Sequence, residues 1–243
     1  MAEKDIDREN MIWDAHSHIH EKNPDISIYL EKGILPVLTG HSHDSNIKTA
    51  ECAKKFSVPF ALGIAPQTAQ KEDIGKKEEW MDFIRESHPN AIGEIGLDNH
   101  WAKTVEDRKN QKMMFGEMLY LAEEMNRPIV IHSRESYKEI VDILNQRNFK
   151  SKVMFHFFGE DDPDYALRGL DAYFSIPPLR SKGRKIAIEK MPLDRMMAET
   201  DSPYVGKTPF DVRISIEHIA DVKRIGADEA SKILSSNAFK FFG

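Results

Sequence analysis

The sequence reads Asp14-Ala15-His16-Ser17-His18 directly after the apolar pair Ile12 and Trp13. On a β-strand, side chains two residues apart leave the same face, so His16 and His18 can chelate one cation. Other potential ligands also come just beyond apolar runs, in the stretches Gly93-Glu94-Ile95-Gly96-Leu97-Asp98, Ile131-His132-Ser133-Arg134, Phe155-His156-Phe157 and Glu199-Thr200-Asp201-Ser202-Pro203. The sequence thus predicts a site built from the ends of several strands.

Short apolar runs alternate with longer amphipathic stretches, which is typical of parallel strands joined by helices. We expect strands near residues 11–15, 35–38, 59–64, 91–95, 128–131, 152–155, 172–176 and 195–198. The clearest helix covers residues 105–126, behind a Thr104-x-x-Asp107 capping box. Others are expected at 46–56, 77–87, 136–146, 185–191, 215–225 and 228–234, and the aromatic side chains of residues 239–242 should then pin the C-terminus to the strands.

The positions of the candidate ligands distinguish between two architectures. An open doubly wound sheet usually gathers its ligand at one switch point between neighbouring strands. Here the candidates follow strands 1, 4, 5, 6 and 8, and only a closed barrel brings those ends to a common centre. A length of 243 residues agrees, since such barrels typically have about 250. We therefore predict a TIM (β/α)8 barrel made by a single domain, residues 1–243.

Composition narrows the class of protein. The chain is 40% hydrophobic and 30% charged, and no apolar run approaches the roughly 18 residues of a membrane span. Residues 1–10 are mostly polar and lack the apolar region of a secretory signal, so we expect a cytoplasmic protein. The lone Cys52 agrees with this location, because it allows no intramolecular disulfide. A net charge of -6 argues against broad, non-specific duplex binding.

Four imidazoles and two carboxylates form the candidate metal-ligand set: His16, His18, Glu94, His132, His156 and Asp201. Such a set suits zinc, manganese or magnesium and contains no thiolate of a structural zinc site. Six ligands exceed the needs of one catalytic ion, so we expect two divalent ions bridged by Glu94. Two ions about 3.5 to 4 Å apart activate water for hydrolysis, and Asp201 is the candidate to take its proton. The alternative, that all six are satisfied core residues, requires an unusual coincidence of position.

The same motifs resemble those of the TatD-like metal-dependent deoxyribonucleases of the amidohydrolase superfamily, nearly end to end. The resemblance is carried by Asp14-x-His16-x-His18, Gly93-Glu94-Ile95-Gly96-Leu97-Asp98, Ile131-His132-x-Arg134, Phe155-His156-Phe157-Phe158-Gly159, Pro192-Leu193-Asp194-Arg195, Glu199-Thr200-Asp201-Ser202-Pro203-Tyr204 and Asn237-Ala238-x-x-Phe241. It implies a TIM barrel, a two-metal centre with these six ligands, and phosphodiester hydrolysis, often exonucleolytic.

This chain departs from the family pattern around the substrate. Ala65 stands in Gly63-Ile64-Ala65-Pro66 where the family usually has a histidine, and Phe157 replaces a cysteine. Asn99-His100 stands where an aromatic pair is usual, and Gly206-Lys207-Thr208-Pro209-Phe210 replaces an R-G-x-x-N segment. The resemblance therefore predicts an intact metal centre inside an altered substrate wall.

Candidate substrate contacts come from the same end of the strands. Arg134 follows a ligand histidine and has the fork geometry that suits a phosphate. His41 and His43 follow strand 2, and a basic cluster follows strand 7, where it could bind flanking phosphates: Arg180, Lys182, Arg184 and Lys185.

Three functions remain open at this stage. The leading hypothesis is a metal-dependent hydrolase of nucleic acid or another phosphodiester, a deoxyribonuclease of 3′–5′ exonuclease type, with no membrane and no obligate protein partner. The second is a deacylase or amidohydrolase that uses the same centre on an ester or amide. The third is a metal-stabilised binding module, against which the full ligand set argues.

Overall fold

The computed structural model describes residues 10–71 and 74–243. Residues 1–9, which hold most of the polar N-terminal stretch, lie outside the described part, as do residues 72–73. Within the described residues, eight parallel strands form one sheet in chain order: β1 (Ile12–Ser17), β2 (Ile34–Thr39), β3 (Phe60–Leu62), β4 (Ala91–Asp98), β5 (Ile129–Arg134), β6 (Val153–Phe155), β7 (Ala172–Ile176) and β8 (Met196–Ala198).

The sheet closes on itself just beyond β8. Ser202 forms a parallel bridge with Ser17 of β1, and the amide of Asp201 donates to the carbonyl oxygen of His16 at 2.9 Å. This closure confirms the predicted TIM barrel. Strands β2, β3, β4, β6, β7 and β8 are buried along their whole length, as expected of parallel strands covered on both faces.

Three strands extend at least two residues further than their apolar runs predicted. β1 runs to Ser17, β4 to Asp98 and β5 to Arg134. The last two remain in register to their ends, with Gly96 opposite His132 and Asp98 opposite Arg134. Ladder pairing is made by the backbone and does not require apolar side chains. His16 and His132 therefore lie within strands and not beyond them, and Glu94 lies within β4, as the expected strand at 91–95 already had it.

Helices connect the strands and cover the barrel: α1 (Ile19–Lys22), α2 (Ser27–Glu31), α3 (His43–Phe56), α4 (Pro66–Lys71), α5 (Lys77–Ser87), α6 (Val105–Glu124), α7 (Tyr137–Gln146), α8 (Asp164–Leu167), α9 (Lys182–Lys190), α10 (Val212–Lys223) and α11 (Ala227–Phe242). The capping box predicted at the start of α6 is present, since Thr104 and Asp107 exchange hydrogen bonds. Helices α3 and α9 begin three residues earlier than expected because Ser42 and Ser181 cap them.

The C-terminal segment differs from the prediction. Residues 237–242 do not follow the last helix but continue α11 to Phe242. Their packing is as expected, because the ring of Phe241 contacts Tyr173 at 5.5 Å between centroids and Phe239 contacts Trp13 at 6.0 Å. Among the described residues, no helix combines the length and the apolar character needed to cross a bilayer.

Candidate metal centre

One cluster of potential ligand atoms forms where β1 meets the segment after β8. The Nε2 atoms of His16 and His18 lie 3.1 Å apart. Glu94 Oε2 is 3.7 and 3.6 Å from them, and Asp201 Oδ1 is 3.8 and 3.6 Å away. Ligands bound to one zinc ion at about 2.0 to 2.1 Å in tetrahedral geometry would be separated by about 3.3 Å. The spacing of His16, His18 and Glu94 therefore fits one cation, and Asp201 faces the same two imidazoles.

A second cluster forms on the other side of Glu94. Glu94 Oε1 lies 2.7 Å from His132 Nδ1 and 3.1 Å from His156 Nε2. Each carboxylate oxygen of Glu94 thus faces a different pair of imidazoles, and the side chain is buried between them at 7% exposure. This position, midway between two sets of nitrogen atoms, is the one that a bridging carboxylate would occupy.

The hydrogen bonds behind the ligands set which nitrogen faces the centre. His18 Nδ1 lies 2.7 Å from the carbonyl oxygen of Thr39, and His132 Nε2 lies 2.9 Å from Asp98 Oδ2. Since each acceptor requires an N–H donor, the inward nitrogen of a neutral ring carries a lone pair. That lone pair on His132 then faces Glu94 Oε1, another acceptor. Two lone pairs this close repel each other unless a proton or a cation lies between them. The arrangement of these ligand atoms therefore fits a metal ion.

The pKa shifts of His156 and Glu94 indicate that the buried carboxylates of the centre favour positive charge beside them. Burial alone would lower the pKa of His156, but Glu94, Glu199 and Asp201 raise it to about 9. Burial likewise opposes ionisation of Glu94, yet His156 and His132 hold the pKa of its carboxyl well below the usual range. Protons on the imidazoles supply the charge that a divalent cation would otherwise bring.

Five of the six proposed ligands line a cavity of about 790 Å³, and the sixth, His16, is fully buried. The lining residues of the cavity include His18, His41, Gln67, Glu94, His132, Arg134, His156, Phe157, Asp201 and Tyr204. Glu21 connects side chains near this cavity. Its carboxylate accepts hydrogen bonds from Ser45 Oγ at 2.5 Å and from Tyr204 Oη at 2.6 Å. His41 Nε2 lies 3.0 Å from the same carboxylate.

Comparisons with known proteins agree with this geometry. The family model described as "TatD related DNase" matches residues 13–243. The chain belongs to the TatD family. The uncharacterized metal-dependent hydrolase MJ1582 of Methanocaldococcus jannaschii is 31% identical to this chain over 245 residues, which cover 94% of this chain and 96% of that protein. Human deoxyribonuclease TATDN3 is 34% identical to this chain over 164 residues. The aligned part covers 63% of this chain and 59% of TATDN3.

Solved TatD structures share the fold at lower identity. The crystal structure of a TatD-family hydrolase from Entamoeba histolytica superposes with a TM-score of 0.85 at 16% identity, covering 96% of this chain and 98% of that one. A TatD homologue from Escherichia coli gives 0.81 at 18% identity, with 96% and 98% covered. The chain therefore shares its barrel fold with both of these proteins.

This TatD chain brings some of its expected substrate contacts to the cavity and not others. His41 and Arg134 line it. His43, at the start of α3, packs instead against the rings of Phe83 and Trp80, with centroids 5.5 and 6.5 Å apart. Because α3 begins at His43, the two histidines after β2 diverge.

The basic cluster after β7 also lies apart from the metal cavity. Arg180, Lys182 and Lys185 line a separate cleft, in which Arg180 pairs with Asp221 at 2.9 Å and Lys185 with Glu189 at 3.7 Å. Arg184 is buried at 7% exposure.

The guanidinium of Arg184 donates to the carbonyl oxygens of Phe158 at 3.2 Å and Leu179 at 2.8 Å. It also lies over the ring of Phe157. These contacts leave Arg184 a structural residue that joins the loops after β6 and β7, contrary to the expected phosphate contact.

Three buried carboxylates that support the ligands were not assigned from the sequence. Asp98 contacts His132, as described above. Asp14 accepts from the amide and hydroxyl of Thr200 at 2.7 and 2.6 Å. Glu199 accepts from the amide of Phe157 and the hydroxyl of Ser175, both at 2.6 Å, and burial raises its pKa to about 7. Asp14 and Glu199 each stand two residues before a ligand, a spacing that could have revealed them.

Proposed function

We propose that this chain is a two-metal hydrolase that cleaves phosphodiesters, with the ends of nucleic-acid strands as its substrate. The position of Glu94 carries the proposal, because its two oxygens face two separate sets of imidazoles. His16, His18 and Asp201 would hold one ion and His132 and His156 the other. When bound, such ions lower the pKa of water and stabilise charge on the attacked group.

The protein's own side chains supply the remaining functions. Asp201 stands at the cavity floor, where its carboxylate can accept the proton of the attacking water. Arg134 reaches the same cavity from the end of β5, and its planar guanidinium can bind two oxygens of a phosphate. His41, held by Glu21 at the rim, is a further candidate contact. The relation to human deoxyribonuclease TATDN3 supports a nucleic-acid substrate, and the single, buried and free Cys52 fits the cytoplasmic location that belongs to this proposal.

Hydrolysis assays test the substrate class. Metal-free protein is reconstituted with zinc, manganese or magnesium and given end-labelled single-stranded DNA, bis-p-nitrophenyl phosphate and p-nitrophenyl acetate. We expect cleavage of both phosphodiesters that a chelator stops and re-added metal restores. The Glu94→Ala variant is the matched inactive control. Metal-dependent turnover of the acyl ester alone would contradict the proposal and favour a deacylase.

A further inference from the structure

An exposed aromatic ring stands beside the metal cavity. Trp101 lies three residues beyond the end of β4 and is 50% exposed. The guanidinium carbon of Arg134, which lines the cavity, lies 5.7 Å from the centroid of its ring. Lys103 Nζ lies 5.7 Å from the same ring. We call Trp101 and Arg134 together the rim platform.

Hydrogen bonds hold the rim platform in a defined place relative to the ligands. The amide of Trp101 donates to Asp98 Oδ1 at 3.0 Å, and the other oxygen of Asp98 contacts His132. The amide of Asn99 donates to the carbonyl oxygen of Arg134 at 3.0 Å. Ala102, which follows the tryptophan, is buried at 2% exposure and anchors the turn. One carboxylate thus positions both a metal ligand and the aromatic ring.

The chemistry of the rim platform matches one class of ligand. A large aromatic ring beside a guanidinium offers a surface for another π-system and a charge for an anion. An unpaired nucleotide has both, in its base and its phosphate. A base within a duplex already has its faces covered by its neighbours, so it cannot stack on such a ring without leaving the helix.

We propose that Trp101 stacks an unpaired base of the substrate while Arg134 binds the adjoining phosphate. The rim platform is then a subsite for the base that adjoins the cleaved bond. This inference rests on the proposed phosphodiesterase function and adds a base-binding subsite to it.

Binding can be measured without turnover. Of the three tryptophans in the chain, Trp13 and Trp80 are buried at 2% and 3% exposure, so added bases should quench mainly Trp101. Metal-free wild-type protein is titrated with oligothymidylate and with a matched abasic oligonucleotide. We expect saturable quenching by the first, little by the second, and none with Trp101→Phe. Equal quenching by both oligonucleotides, or none by either, would overturn the base subsite even if the enzyme cleaves DNA.

Kinetic measurements then distinguish a loss of base stacking from a general loss of structure in the loop. Trp101→Ala should lower kcat/KM for single-stranded DNA by about 5- to 150-fold, the range that base–aromatic stacking energies correspond to. It should change kcat/KM less than twofold when the nucleotide beside the cleaved bond is abasic, and Trp101→Phe should keep most of the activity.

Tyr120, which is 56% exposed near the far end of α6, gives the control variant Tyr120→Ala. Equal losses on natural and abasic DNA would show that Trp101 only supports the loop. A wild-type enzyme that quenches with bases but cleaves no phosphodiester would instead refute the proposed function and leave the subsite standing.

Discussion

The histidine ligands depend on the residues behind them. Asp98 accepts from His132 Nε2 and so aims Nδ1 at the centre. We expect Asp98→Asn to weaken metal affinity or activity by about 10- to 100-fold, as is common for such supporting carboxylates. Equilibrium dialysis with metal analysis measures the change. Asp107→Asn, in the capping box of α6, should lower stability and leave metal affinity intact; a parallel loss in both variants would mean that Asp98 acts through folding alone.

Asp201 has a proposed double role as ligand and proton acceptor. The Asp201→Asn substitution keeps the shape of the side chain but removes its charge. Turnover at saturating metal should fall by about 10² to 10⁴, the range of general base catalysis, while part of the metal stays bound. Single-turnover assays combined with metal analysis test this. Unchanged turnover in the variant would remove Asp201 from the mechanism.

His41 and His43 form a natural pair of test and control. His41 lines the cavity, whereas His43 packs on aromatic rings away from it. We expect His41→Gln to raise KM for phosphodiesters by several-fold, because it removes a contact made equally to substrate and transition state. His43→Gln should leave KM unchanged and lower the melting temperature. If both variants show the same kinetics, His41 does not contact the substrate.

At the scale of elements, the pairing of β4 with β5 holds the centre together. Gly96 adopts φ +144°, and a Cβ there would lie 2.0 Å from the carbonyl oxygen of His132. Gly96→Ala must therefore push the two strands apart. We expect the substitution to lower the free energy of unfolding by about 1 to 3 kcal/mol, the range of other overpacked substitutions. Metal binding should also become weaker.

Denaturant unfolding and metal titration measure both effects of Gly96→Ala. Gly116, on α6, provides the control because nothing lies within 4 Å of an added Cβ. Gly116→Ala should stabilise the protein by about 0.4 to 1 kcal/mol through the unfolded chain. Normal metal affinity in Gly96→Ala would show that the β4–β5 register does not set the ligand geometry.

For the whole molecule, the metal centre links strands from all around the barrel. Glu94, His16 and His156 come from β4, from β1 and from the segment just after β6, so ions bound there oppose unfolding of the entire sheet. One ion at 1,000 times its Kd stabilises by about 4 kcal/mol. For a chain of this length that corresponds to a rise in Tm of roughly 8 to 16 °C.

Calorimetry with and without a chelator tests this stabilisation. The Glu94→Ala variant should show a much smaller difference, since it has lost the carboxylate shared by both clusters. Equal chelator effects in wild type and variant would place the stabilising ions elsewhere.

Much of the architecture follows from local sequence. Apolar runs marked all eight strands, because strands covered on both faces are largely apolar. The six proposed ligands could be identified from their place at strand ends, and the capping box of α6 from two residues three apart. These features depend on neighbours in the chain, and the sequence by itself determined them.

Only the tertiary structure decided which distant groups meet. Barrel closure brings Asp14 to Thr200, and the pairing of β4 with β5 brings Asp98 to His132. No local pattern encodes those two contacts. The same is true of Arg184, whose charge predicted an exposed phosphate contact. Its guanidinium is buried and donates to two carbonyl oxygens of the loops after β6 and β7. A side chain's role depends on what surrounds it, and residues far apart in the sequence become neighbours only when the sheet closes.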